Sequence, residues 1–333
     1  MNMIVVISNR NINPEFSDER LFGEQLNPLG ANKNRVALAN FDNASEQWNL
    51  ELIPEGDNPE EIDLPSQQFF NEIAQGIKNG NYKKNWVFYV PGFNQSSRGG
   101  LDASFQIAQK YDVDVILFSW PSNPGGLVDE EYTEVRRDVI VSSQALDRAI
   151  EKLDKYVENW ELENEELGIT INLLAHSLGN FVVENYIRHS DFTNIKKIFN
   201  NVILHEPDVD NESHTQWIDN ITFTDNIFVT INIHDDILEL SGVFHKKRLK
   251  TLTSSNRLGN SHENLLAKKP IYIDFTHAHF VNRSHNLFLK VDNPIVVYFF
   301  QQVFHGKKPM LNNRPFDFDA TANMYRLDQR NTA

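Results

Sequence analysis

The chain has 333 residues, of which 40% are hydrophobic and 23% charged, a composition that excludes a disordered or fibrous protein and leaves room for a large buried core. Its formal net charge of −15, from 31 basic and 46 acidic residues, argues against nucleic acid or an anionic membrane as its partner. No cysteine occurs, so disulfides, thiolate metal sites and thiol catalysis are excluded.

The N-terminus, Met1 to Arg10, holds a short apolar run with no basic region before it and no small-residue cleavage site after it, so it reads as a strand and a cytoplasmic location is expected. No apolar stretch reaches the roughly 18 residues of a membrane span. Residues 1–60 continue with β-like runs at Val36 to Ala39 and Trp48 to Ile53, separated by Asn, Pro, Asp and Gly. This β-rich segment is expected to share one domain with residues 61–305.

From residue 61 to 305 the texture is helix alternating with strand. Gln67 to Lys78 places Phe69, Phe70, Ile73 and Ile77 on one helical face. Trp86 to Val90, Val113 to Phe118, Ile169 to Leu174, Val202 to Leu204, Ile227 to Ile231 and Ile271 to Ile273 are short, wholly or largely apolar runs that suit strands covered on both faces. Helical patterns at Ser104 to Tyr111, Tyr132 to Val157, Leu178 to His189 and Asn293 to Phe304 separate most of them. The expected class is therefore α/β, with a mostly parallel central sheet and helices on both faces. Residues 306–333 mix Asn, Asp, Arg and Pro with a few aromatics and read as a loosely ordered extension.

Chemistry concentrates where the strand ending Leu173-Leu174-Ala175-His176 runs directly into the helix beginning Leu178-Gly179-Asn180, with Ser177 on the joint. A serine on such a strand-to-helix turn is exposed for attack, and the residues two before and two after it must be small; Ala175 and Gly179 meet that need. The Leu178 N–H, at the positive end of the helix, is a candidate donor to an oxyanion. By itself a small-x-Ser-x-Gly string is also a common helix start; the strand before it and the helix after it favour a nucleophile.

Upstream, the strand Trp86 to Val90 ends in Pro91-Gly92-Phe93-Asn94. Gly92 permits close approach of the backbone, and the Phe93 N–H is the candidate second oxyanion donor, although a plain Pro-Gly turn has the same sequence. Downstream, Asp235 is the first carboxylate past the strand that begins at Ile227, and His285 follows the last strand, so Asp235 and His285 are the candidate acid and base. Asp236, Asp208 and Glu206 are alternative acids. His277 and His279 form a His-x-His pair without further metal ligands nearby in sequence; they read as loop or edge-strand residues, and neither a metal nor any other cofactor is expected.

With Gly92-Phe93-Asn94, Phe118-Ser119-Trp120-Pro121-Ser122 and Ala175-His176-Ser177-Leu178-Gly179-Asn180 in hand, the chain resembles the bacterial α/β-hydrolase family of unknown function that carries these motifs. Pro207-Asp208-Val209-Asp210, Arg257-Leu258-Gly259 and Ser284-His285 extend the resemblance over residues 85 to about 290. It implies an α/β-hydrolase fold and names no substrate. One departure is Pro91, where the family's oxyanion turn usually has His; this alters packing there but removes neither backbone donor.

Residues 243–269 hold Lys246, Lys247, Arg248, Lys250, Arg257, Lys268 and Lys269 against Glu263 alone. In the fold implied by the resemblance this segment hangs over the carboxyl edge of the sheet, where it would attract an anionic substrate; a solvated surface loop is the other reading. Two functions stay open: a serine hydrolase of the carboxylesterase or lipase type acting on a small-molecule or lipid-like ester, amide or thioester, and a catalytically silent hydrolase-fold protein that binds a ligand or partner. The oligomeric state is not legible.

Overall fold

Strands with no polar face can be buried only in a sheet covered on both sides, and that requirement organises the whole chain. The computed structural model describes residues 2–54, 65–123, 128–163, 168–190, 197–249, 256–312 and 315–329. In chain order they form β1 (Ile4–Ser8), β2 (Arg10–Ile12), β3 (Phe22–Leu26), β4 (Arg35–Asp42), β5 (Gln47–Ile53), α1 (Pro65–Lys78), β6 (Asn85–Val90), α2 (Ser97–Tyr111), β7 (Asp114–Ser119) and α3 (Val128–Glu163). There follow β8 (Thr170–His176), α4 (Gly179–His189), β9 (Asn201–His205), α5 (Thr215–Ile218), β10 (Asn226–Ile231), α6 (Asp236–Leu249), β11 (Pro270–Asp274), α7 (Leu287–Lys290), α8 (Pro294–Phe304), β12 (Phe316–Asp319) and β13 (Met324–Leu327).

Eleven of these strands make one sheet, in the order β12-β13-β11-β10-β9-β8-β6-β7-β1-β4-β5, and β2 pairs with β3 in a separate ribbon. Every neighbouring pair from β1 to β13 across the middle is parallel, while β4, β5 and β12 join antiparallel at the two edges. With helices on both faces this is a mixed, mostly parallel sheet of the α/β-hydrolase type.

Successive side chains along β6 feed opposite faces, as the period of two demands. Trp86, Phe88 and Val90 join one core cluster with Phe70 and Ile73 of α1, Val135 and Leu146 of α3, and Val182 of α4. Val87 and Tyr89 join the other, with Leu101 and Ile107 of α2 and Phe299 and Phe300 of α8. Two polar residues interrupt this pattern near the amino ends of their strands. Asn172 of β8 and Asn201 of β9 donate to the carbonyls of Phe304 (2.9 Å) and Val303 (2.8 Å), so they satisfy the end of α8, whose carbonyls have no partner inside the helix.

The tail after Phe304, which the composition suggests is loosely ordered, instead carries the β12–β13 hairpin. Phe316, Met324 and Leu327 are buried, and β13 pairs in parallel with β11. The N-terminal β1 lies between β7 and β4 inside the same sheet.

The connections fix the site. From β6 the chain passes through α2 to β7 on one side, then crosses by α3 to β8 on the other. The carboxyl ends of β6 and β8 therefore open away from each other at a topological switch point, the place where open α/β sheets leave a crevice for ligands.

Candidate active site

Ser177 occupies the turn between β8 and α4 with φ of 52°, the left-handed region that an L-residue enters at a cost. The surroundings hold it there. Its N–H donates to the His205 carbonyl at 3.1 Å and its carbonyl accepts from the Asp208 N–H at 3.1 Å. The buried Asn180 side chain donates to the carbonyls of Ala175 and Ser177, each at 3.0 Å, closing the turn from inside. Gly179 is required by approach rather than by dihedral angle: a Cβ there would lie 2.4 Å from the Val90 carbonyl oxygen. A Cβ on Gly92 would lie 2.7 Å from the Cβ of Ser177, so the turn after β6 and the serine turn are in direct contact.

Among the described residues the Leu178 N–H has no hydrogen-bond partner, and it follows Ser177 directly at the start of α4. The turn bearing Gly92 and Phe93 is supported by the end of β7. The Trp120 indole donates to the Pro91 carbonyl at 2.9 Å, and the Ser122 carbonyl accepts from the Asn94 N–H at 2.7 Å. The Phe-Ser-Trp-Pro-Ser stretch thus braces the turn, and Pro91 supplies the carbonyl that the indole grips. Arg10 reaches the same place from the N-terminal segment, donating to the Ser119 hydroxyl at 2.9 Å and the Gln95 carbonyl at 2.7 Å.

His285 is brought against the serine turn from the far side. Its Nδ1 lies 2.5 Å from Asp235 Oδ2, and its carbonyl accepts a hydrogen bond at 2.7 Å from Nε2 of His176, the residue before Ser177. Asp235 is fully buried; its second oxygen accepts from the N–H groups of Ile237 (2.9 Å) and Leu238 (3.1 Å), so the carboxylate also caps α6. Asn232 donates to the carbonyls of Ser284 (2.9 Å) and Asn282 (3.2 Å), fixing the loop that carries His285. Burial, with His285 beside it, pushes His176 down to about 3, so it is a neutral donor to the His285 carbonyl. Among the described residues no hydrogen bond to the Ser177 hydroxyl is formed.

The other candidates are otherwise engaged. Asp208 is buried and held by Arg257 Nε at 2.7 Å and the Ser241 hydroxyl at 2.6 Å. Asp236 is half exposed and pairs with Arg283 at 2.5 Å. Glu206 is wholly buried, with Oε2 4.0 Å from His285 Nδ1 and 3.1 Å from His205 Nε2. His279 bonds the Gln329 carbonyl at 2.7 Å, and the His277 ring lies beside His234, with centroids 6.0 Å apart. Among the described residues one group has ligand atoms close enough for a metal ion, His176, Glu206 and His285, within 4.8 Å of one another. Of these, His176 Nε2 and His285 Nδ1 are already committed, to the His285 carbonyl and to Asp235.

Two side chains of the basic segment have described partners. Arg257 is buried against Asp208 and Asp210, and Lys269 precedes β11, at the edge of the sheet opposite Ser177, where its Nζ donates to the Ile221 carbonyl. Lys268 lies beside it, with both backbone N–H groups donating to Asp219. Arg257 is spent on structure because the Asp208 carboxylate buried with it needs a counter-charge. The side chains of Lys246, Lys247 and Arg248, and all of Lys250, lie outside the described residues.

Sequence reasoning did not single out Asn180, Asn232, Trp120 and His176 as supports. The signal that could have found three of them is a polar residue at the carboxyl end of an apolar strand or just past it, where the sheet gives it nothing to bond.

Residues 67–296 match the family described as alpha/beta hydrolase of unknown function (DUF900). No curated protein and no solved structure gave a significant match. Among the described residues no helix is long and apolar enough to cross a membrane.

Proposed function

The chain belongs to that family of alpha/beta hydrolases, and from this premise we propose that it is a serine hydrolase that cleaves a small-molecule or lipid-like ester, thioester or amide through an acyl-enzyme. The observation that carries the reading is the 2.5 Å contact of Asp235 with His285, made against the turn that holds Ser177 at φ of 52°. In the proposed reaction the Ser177 oxygen attacks the carbonyl carbon while His285 takes its proton, and the negative oxygen so formed accepts from the Leu178 and Phe93 N–H groups. His285 then gives the proton to the leaving alcohol, thiol or amine. Water, deprotonated by the same histidine, attacks the acyl carbon and releases the acid and free Ser177. Asp235 holds the imidazole in one tautomer and balances its charge.

A catalytically silent binding protein is the second reading, favoured by the burial of Ser177, which is only 4% exposed, and by the absence of a hydrogen bond on its hydroxyl. Catalytic hydrogen bonds are often long in unligated enzymes, so the first reading is preferred. Labelling with a fluorophosphonate probe and turnover of a broad panel of ester, thioester and amide substrates test it. Wild type should react and Ser177→Ala should not, with circular dichroism unchanged; equal labelling of both would remove Ser177 from the chemistry.

A further inference from the structure

Glu206 is the most confined charged-type residue beside the serine turn. It follows β9 directly, its φ is 41°, and it is fully buried. The chain covers it from above as well, since a Cβ on Gly259 would lie 2.4 Å from its backbone carbonyl carbon. Neither of its side-chain oxygens accepts a hydrogen bond. An ionised carboxylate in that position would be a buried charge with nothing donating to it, an arrangement proteins avoid by neutralising the group.

The neighbouring imidazole says where a proton is. The Leu287 N–H donates to His205 Nε2 at 3.3 Å, so that nitrogen carries no hydrogen, and His205 Nδ1 faces the Thr230 hydroxyl at 2.7 Å. Glu206 Oε2 stands 3.1 Å from the same Nε2. The single lone pair of that nitrogen is taken by Leu287, so an ionised Glu206 would face it as a second bare acceptor in a dry interior.

On the reading that His285 is the base, we propose that Glu206 is a positioning residue held in its neutral acid form beside the His205 ring, which leaves Asp235 as the one carboxylate charge on His285. The titratable groups around it are His205 beside it in sequence, His285 from the last loop, Asp235 from the loop after β10, and His176 at the end of β8. Burial first, and then the charge of Asp235, push its acidity in the same direction. Were Glu206 charged, a second carboxylate charge would stand 4.0 Å from His285 Nδ1 with no donor of its own.

The experiment compares Glu206→Gln, which is neutral and fills the space of the protonated acid, with Glu206→Ala, which leaves that space empty. The infrared difference between wild type and Glu206→Gln at pH 7 should show the carbonyl stretch of a protonated carboxylic acid, a readout that needs no substrate. In kcat/KM, Glu206→Ala should lose about tenfold through loosened packing beside His205 and His285, and Glu206→Gln should recover most of that loss with the acid limb of its pH profile where wild type has it. Carboxylate bands in place of the acid band, or an acid limb moved to lower pH in Glu206→Gln, would overturn the proposal. Failure of the hydrolase reading would look different: Ser177→Ala would label like wild type whatever the infrared spectrum shows.

Discussion

Arg257 Nε lies 2.7 Å from Asp208 Oδ1, with both side chains almost completely buried. The same guanidinium reaches Asp210 at 2.7 Å and the Asp208 carbonyl at 2.8 Å, while Asp208 also accepts from Ser241 of α6. The pair therefore ties the chain after β9 to the helix whose first turn is capped by Asp235. Arg257→Met should lower the unfolding free energy by about 3–5 kcal/mol, because it strands a buried carboxylate. Adding Asp208→Asn to it should recover part of that loss. Denaturant unfolding of the two variants decides; losses that simply add would mean the residues do not act as a pair.

A second prediction concerns the strain at Ser177. The left-handed backbone at φ of 52° suits glycine and disfavours any residue with a Cβ. Ser177→Gly should therefore be more stable than Ser177→Ala by about 1 kcal/mol, although both lack the nucleophile. Thermal or urea unfolding measures this, and equal stabilities would show that the turn is relaxed in the absence of the serine side chain.

The buried strands were legible because branched and aromatic runs of three to six residues have few alternatives to a covered sheet, and the serine turn because small residues flank Ser177 at fixed offsets. Helix α6 was not legible. Its Ile237, Leu240 and Val243 are exposed while Leu238 is buried, so its apolar residues do not share one buried face. The β12–β13 hairpin was hidden for a different reason: it is a short edge pair held by Phe316, Met324 and Leu327, three buried residues in an otherwise polar tail. Asp235 could be ranked above Asp208 from strand order, but that Arg257 occupies Asp208 is a contact between residues 49 apart in the chain. Charge counted along the sequence also does not tell that Arg257 is already paired with Asp208 and Asp210.

The three buried acid and base groups behind Ser177 should shape stability against pH in opposite directions. His176 is lowered from 6.5 to about 3 and His205 is lowered as well, both chiefly by burial. Below pH 6.5 the unfolded chain gains protons that the native state refuses, so this stability is full above 6.5 and is lost as pH falls. Glu206 is raised above 4.5, so the native state keeps a proton that the unfolded chain releases; its contribution is full below 4.5 and is lost as pH rises. Removing that opposing slope in Glu206→Gln should make the variant gain on wild type by about 1.4 kcal/mol per pH unit above 4.5, until the native acid ionises. Urea midpoints between pH 4.5 and 8 measure the difference, and a constant offset across that range would mean Glu206 is ionised when folded.

The last prediction separates the carboxylates. Asp235 touches His285 Nδ1 at 2.5 Å, whereas Asp236 turns to Arg283 and Asp208 to Arg257. If Asp235 is the orienting acid, Asp235→Asn should cut kcat by about 10⁴ with little change in KM, because an amide presents the wrong partner to Nδ1 and removes the counter-charge of the imidazolium. Asp236→Asn should change kcat less than about threefold, since an exposed ion pair is worth under about 1 kcal/mol and lies outside the contact. Asp208→Asn should act chiefly on stability, leaving the kcat of the folded fraction within about tenfold of wild type, because its link to the site runs through the position of α6 and not through His285. The three variants are to be compared on one substrate that the wild type turns over, at a temperature where circular dichroism shows all of them folded. A loss of 10⁴ in Asp208→Asn with Asp235→Asn spared would move the acid to the chain after β9, and equal losses in both would mean that the buried network around Arg257 and Asp235 behaves as one unit.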